Sequence, residues 1–205
     1  MGNFLRLALL IIATFILLPS LAIAEEATEK DPQKTFATLR KAAEQGDVVA
    51  QLAVGACYSD GYGVEKDDKE AVNWYRKAAD QGYAKAQYIL GLCYKNGTGV
   101  EKDDKEAANW YRKAALQGNA DAQLALGGCY YKGIGVKKDP KEAANWYRKA
   151  AEQGNAQAQN NIAVCYASGT GVKKNTDEAV KWYRKAAQGG HKGAQEVLRS
   201  SGLTW

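Results

Sequence analysis

Between residues 34 and 202 the apolar positions fall into two alternating patterns, both of helical period. In one, Ala71, Trp74, Tyr75 and Ala78 form a wide apolar stripe, with Lys69, Asn73, Arg76 and Asp80 on the opposite side. That spacing predicts an amphipathic helix buried on one broad face, with its cations solvated. In the other, Ala50, Val54 and Cys57 lie on one ridge and Gln51, Gly55 and Tyr58 on the next. This pattern predicts a helix, here termed A, over about 47–59, ending at the glycines of "GYG" at 61–63. The amphipathic helix, termed B, opens with Asp67 followed by Glu70, the spacing of a capping box, and closes at a Gln-Gly pair.

The pair of patterns then repeats every 36 residues. "EAANWYRKAA" stands at 106–115 and 142–151, with near copies at 70–79 and 178–187. Trp74, Trp110, Trp146 and Trp182 form one column, and Cys57, Cys93, Cys129 and Cys165 another. A period of this size marks a solenoid, in which no unit buries its own apolar face and each relies on its neighbours. Gly55, Gly91 and Gly127 are expected to let helices A and B approach closely, with Ala163 in the fourth copy.

The ends depart from the pattern. Residues 34–45 match helix B alone, and the last segment matches helix A with Arg199, Ser201 and Gly202 in place of the packing Gly, Cys and Tyr. The expected organisation is a capping helix at 34–46, repeats at 47–82, 83–118, 119–154 and 155–190, and a polar cap at 191–205. Ahead of these, residues 1–24 read as a signal peptide, with Arg6, an apolar run at 7–18 and Ala22-Ile23-Ala24 before the cleavage point. Residues 25–33 read as a flexible linker. An uncleaved anchor is the alternative reading of the first segment. The expected destination is the periplasm or the medium, with no membrane attachment after cleavage.

Charge adds little, because 28 basic residues face 23 acidic ones over the whole chain. The cysteines add more. Equivalent positions on stacked helices lie ~8–10 Å apart, beyond the ~7 Å that a disulfide spans between Cα atoms. Four free, buried thiols are expected, acting as small hydrophobes.

Taken together, the string A-x-A-Q-x-x-L-G-x-C-Y-x-x-G-x-G-V-x-K-D-x-K-E-A-x-x-W-Y-R-K-A-A-x-Q-G resembles the Sel-1-like repeat family, relatives of the tetratricopeptide repeat. The resemblance runs from residue 34 to about 202. It implies an all-α, right-handed α/α superhelix with four full units and half-unit caps, serving as a scaffold for other proteins. A cysteine-rich branch of that family is associated with β-lactamase or penicillin-binding activity. This chain departs from that branch by having one Cys per unit instead of a bridged pair.

Enzyme chemistry has little to work with. His191 is the sole histidine, no metal-ligand spacing occurs, and the signatures of penicillin-recognising serine enzymes are missing. The G-x-G loops follow a helix and precede acidic residues, which argues against phosphate cradles there. No cofactor, metal or nucleic acid is expected, and an envelope hydrolase of the β-lactamase type is the alternative. A comparison among the four copies points elsewhere. One helix-A ridge varies freely while its neighbours barely change, and in tetratricopeptide-like superhelices that ridge lines the concave groove. The candidate contacts are Leu52, Lys85, Tyr88, Leu92, Lys95, Asp121, Leu124, Tyr131, Asn160 and Val164. The expected ligand is a protein or peptide, and the expected state a monomer.

Overall fold

The computed structural model describes residues 31–205; the expected signal peptide and most of the expected linker lie outside them. Among the described residues there are ten helices and no strands. They are α1 (Pro32–Glu44), α2 (Val48–Asp60), α3 (Asp68–Asp80), α4 (Ala84–Asn96), α5 (Asp104–Leu116), α6 (Ala120–Lys132), α7 (Pro140–Glu152), α8 (Ala156–Ser168), α9 (Thr176–Gln188) and α10 (Lys192–Ser200). The chain forms two compact units that divide after Lys102, so α1–α4 make one and α5–α10 the other. Within each unit every helix packs on the helix before it and the helix after it. That nearest-neighbour packing is the all-α solenoid expected from the repeat.

The first helix starts earlier than the apolar pattern indicated. Asp31 is its N-cap, its carboxylate accepting from the Gln33 and Lys34 amides, and Pro32 occupies the first turn. A proline there loses no hydrogen bond. The sequence carried this signal, since Asp31-Pro32 repeats the Asp139-Pro140 that opens α7.

The capping boxes form by half. Asp67, Asp103 and Asp139 each accept from two amides of the following turn. The return arm from Glu70 to the Asp67 amide is absent, because that amide donates to the Tyr58 carbonyl at 3.0 Å. Glu70 instead accepts from Asn73. The same backbone bond ties Asp139 to Tyr130 and Asn175 to Tyr166, folding each loop back onto helix A.

The core is a succession of small residues around large rings. The four repeated tryptophans are buried, between 6% and 9% exposed, as are Tyr75, Tyr111, Tyr147 and Tyr183. Tyr147 explains the glycine on helix A facing it: a Cβ at Gly127 would lie 2.6 Å from the Tyr147 ring. Tyr75 excludes a side chain at Gly55 in the same way. The Ala-Gln column also finds its reason here. Gln51, Gln87, Gln123 and Gln159 are buried and donate to the carbonyls of Ala43, Ala79, Ala115 and Ala151 at 3.0–3.2 Å. Each thereby adds a second donor to a carbonyl at the end of the preceding helix B, which also accepts from the glycine amide three residues on at 3.0–3.1 Å.

The cysteines are free and buried, as the spacing indicated. Burial pushes the Cys57 thiol up to about 12 and the Cys93 thiol up to about 11. Burial also raises Cys165 and takes Tyr147 up to about 12. These groups hold their protons longer folded than unfolded, so their contribution to stability is complete below the ordinary thiol value of about 9 and is lost as pH rises through 11 and 12. The urea midpoint is therefore expected to hold steady from pH 7 to about 8.5 and to fall between about pH 9 and 11. A midpoint unchanged across that range would show that the thiols sit in a wet environment.

Candidate partner-binding ridge

The variable positions lie on α2 and α4 in the first unit and on α6 and α8 in the second, and they are not equally available. In the first unit Leu52 is 9% exposed and belongs to the core, so it is withdrawn from the set of accessible contacts. Lys85, Tyr88 and Leu92 on α4 are half-buried, and Lys95 is exposed. In the second unit Asp121 is exposed, Tyr131 is 39% exposed and Val164 is 41% exposed. Asn160 is half-buried, and Leu124 is half-buried against the core cluster of α7–α10. The ridge thus offers a Tyr-Leu pair flanked by two lysines in the first unit. In the second it offers Tyr131 and Val164 as its open apolar contacts.

The lysines of "WYRK" are exposed, as expected, yet each also covers a ring, and three of the four arginines are half-buried. Lys77 sits over the Trp74 ring with its ammonium 3.7 Å from the centroid, and Lys113 covers Trp110 at 3.6 Å. Lys149 and Lys185 cover Trp146 and Trp182 at 4.2 and 4.3 Å. Each lysine lies three residues after its tryptophan, on the same helix face, and covers a face of the ring. Arginine reaches the other way. Arg76 donates to the Tyr94 hydroxyl at 2.7 Å, Arg112 to Tyr130 at 2.8 Å and Arg148 to Tyr166 at 3.0 Å, each 18 residues ahead on the following helix A. Where the repeat runs out, Arg184 donates to the Thr204 carbonyl instead.

His191 is equally engaged. Its Nδ1 accepts from the Ala194 amide, making it the N-cap of α10, and its Nε2 lies 3.2 Å from Gln157 Oε1. Among the described residues no cluster of three His, Cys, Asp or Glu could hold a metal ion, and no helix is long and apolar enough to cross a membrane.

The pattern of the Sel1 repeat matches residues 25–47, 48–83, 84–119, 120–155 and 156–191. The chain belongs to the Sel1 repeat family. Its first matched repeat reaches back across the expected linker, in keeping with the early start of α1. This Sel1 repeat protein is 40% identical to a Sel1 repeat protein from Oxalobacter formigenes, over 90% of this chain and 78% of that one, with a TM-score of 0.82. It is 42% identical to a protective antigen of uropathogenic Escherichia coli with an SLR fold, over 82% of this chain, with a TM-score of 0.78. The match spans 37% of that antigen's length. Cysteine rich protein B of Helicobacter pylori is 28% identical, with a TM-score of 0.53, over 65% of this chain and 96% of that one. No match is found among curated proteins. Sel1 repeat proteins form a scaffold-type family that generally mediates protein interactions and is usually non-catalytic.

Proposed function

We propose that this Sel1 repeat protein is exported and acts as a non-enzymatic adaptor, binding a protein or peptide along the helix-A ridge. One observation carries the reading. Leu52 apart, the ridge side chains are half-buried or exposed and vary in kind from copy to copy, whereas the adjoining columns are buried and repeat. Partly exposed apolar side chains bordered by charges are the composition of a recognition surface. In the first unit Tyr88 and Leu92 supply the contact area and Lys85 and Lys95 its rim; in the second Tyr131 and Val164 supply it, with Asp121 and Asn160 as polar positions on the same helices. Export is supported by the signal-peptide pattern and by the first matched repeat, which begins at residue 25, directly after Ala24.

The test is affinity capture from the periplasmic fraction, comparing wild type with Y88A/L92A and with Y131A/V164A. The protein recovered there is expected to have the mass of residues 25–205. Each pair is expected to reduce capture of the same partner by more than about tenfold, as loss of two interface anchors does. Circular dichroism confirms that the variants remain helical. Undiminished capture by both folded variants would remove the ridge from the binding surface.

A further inference from the structure

The basic excess of this protein is not spread along it. Among the described residues the first unit carries ten basic and ten acidic side chains, and the second sixteen basic and ten acidic. Part of that excess lines an open cleft of about 500 Å³ in the second unit, between α7, the loop that precedes α9, and Tyr166. Lys141 and Arg148 form one wall and Lys173 and Lys174 another.

Three features separate this cleft from its first-unit counterpart; the third copy's loop, Lys137, Lys138, Asp139, Pro140, shares part of the change but keeps the Asp139 carboxylate where this cleft has Asn175. The first is the loss of carboxylates. The loop before α3 reads Glu65, Lys66, Asp67, Asp68, whereas the loop before α9 reads Lys173, Lys174, Asn175, Thr176. A comparable cleft of about 460 Å³ in the first unit is lined by Asp31 and Glu65 and by no cation. The second is the loss of an ion pair. Lys66 lies 3.6 Å from Asp68, but Thr176 stands at the equivalent place and leaves Lys174 without that partner. Among the described residues none of Lys141, Arg148, Lys173 and Lys174 has a carboxylate within ion-pair distance. Glu178, the carboxylate on the cleft wall, is held by Lys181 at 2.7 Å. The third is a released amide. Asn73 and Asn109 donate to Glu70 and Glu106, while Asn145 in the cleft makes no such bond to Glu142.

We propose that this cleft is a binding site for a phosphate-type anion carrying at least two negative charges. Several unneutralised cations in one concavity raise the local potential and favour a multiply charged ligand over a monocarboxylate. Arg148 is oriented by its bond to the Tyr166 hydroxyl, so a guanidinium and the Lys141, Lys173 and Lys174 ammonium groups line one cleft. Planar guanidinium and ammonium donors together suit a phosphate, whose oxygens accept from several directions. The amides of Asn145 and Asn175 add uncharged donors. The site lies off the helix-A ridge and does not depend on the adaptor reading.

Pyrophosphate is the probe, titrated into the ¹⁵N-labelled full mature protein. K173E/T176D returns the cleft to the residues that the first two copies carry, so it is expected to fold as wild type does. K132E/K192E removes at least as much charge from exposed positions of the same unit outside the cleft. Saturable shifts at Lys141, Asn145, Arg148 and 171–175 are expected. Binding should weaken by about tenfold or more in K173E/T176D and less than about threefold in K132E/K192E. It should also weaken as salt rises. Phosphatidylglycerol vesicles against phosphatidylcholine vesicles distinguish the source: variant-sensitive co-sedimentation without pyrophosphate binding assigns the phosphate to a lipid headgroup. Absence of saturable binding to either probe, or equal weakening by the two double variants, overturns the site.

Discussion

Gly171→Ala is expected to destabilise the second unit by about 3 kcal/mol, whereas Gly154→Ala costs about 1–2 kcal/mol. Both glycines have positive φ, 73° and 90°, so an alanine at either adopts a left-handed conformation that its Cβ disfavours. Only one of them lacks room. Nothing lies within 4 Å of a Cβ at Gly154, but at Gly171 it would overlap the Pro140 carbonyl at the start of α7. Backbone cannot rotate aside as a flexible side chain can, so the loop must separate from α7. Gly99 against Asp68 in the first unit and Gly135 against Asp104 in the second are placed in the same way. The second glycine of each G-x-G loop is thus a contact between successive repeats. Urea unfolding followed by tryptophan fluorescence measures both variants, and equal midpoints for the two would refute a steric role for the loop.

Trp146→Ala is expected to cost about 3–5 kcal/mol, out of a total stability of about 5–15 kcal/mol. The ring is 6% exposed on α7, which packs on both α6 and α8, so truncation opens a void where several helices meet. It also strips Lys149 of the face it covers. Trp146→Phe provides the contrast. The Trp146 Nε1 is buried and has no acceptor among the described residues, so phenylalanine removes an unsatisfied donor while keeping an aromatic face. The phenylalanine variant is expected to lose less than half of what the alanine variant loses. If the two lost equally, the indole N–H would have to be engaged after all.

Much of this arrangement was legible in the letters. The 36-residue period, the buried tryptophans, the left-handed Gly61 and the free cysteines all follow from side-chain volume, helical spacing and the conformational freedom of glycine. Local rules suffice there because each element is short and repeats the same solution. The start of α1 was legible too, in Asp31-Pro32, but the expected boundary followed apolar periodicity, which begins later than the cap does. Leu52 was misplaced for a different reason. It shares a register position with Tyr88, Leu124 and Asn160, yet it alone of the four is buried.

By itself the sequence determined which columns of the repeat face inward, where the repeated helices start and stop, and that neighbouring helix pairs must bury their apolar faces against one another. Those properties depend on contacts within a turn or between adjacent helices, which periodic spacing encodes. Tertiary structure alone decided where the long cations end. Lysine turned back three residues onto its own tryptophan, and arginine reached 18 residues forward to a tyrosine hydroxyl. It also left Lys141, Arg148, Lys173 and Lys174 around one cleft without carboxylate partners. A side chain with four or five rotors has no preferred direction in sequence; its target is set by whatever ring, hydroxyl or open space the neighbouring repeat brings within reach.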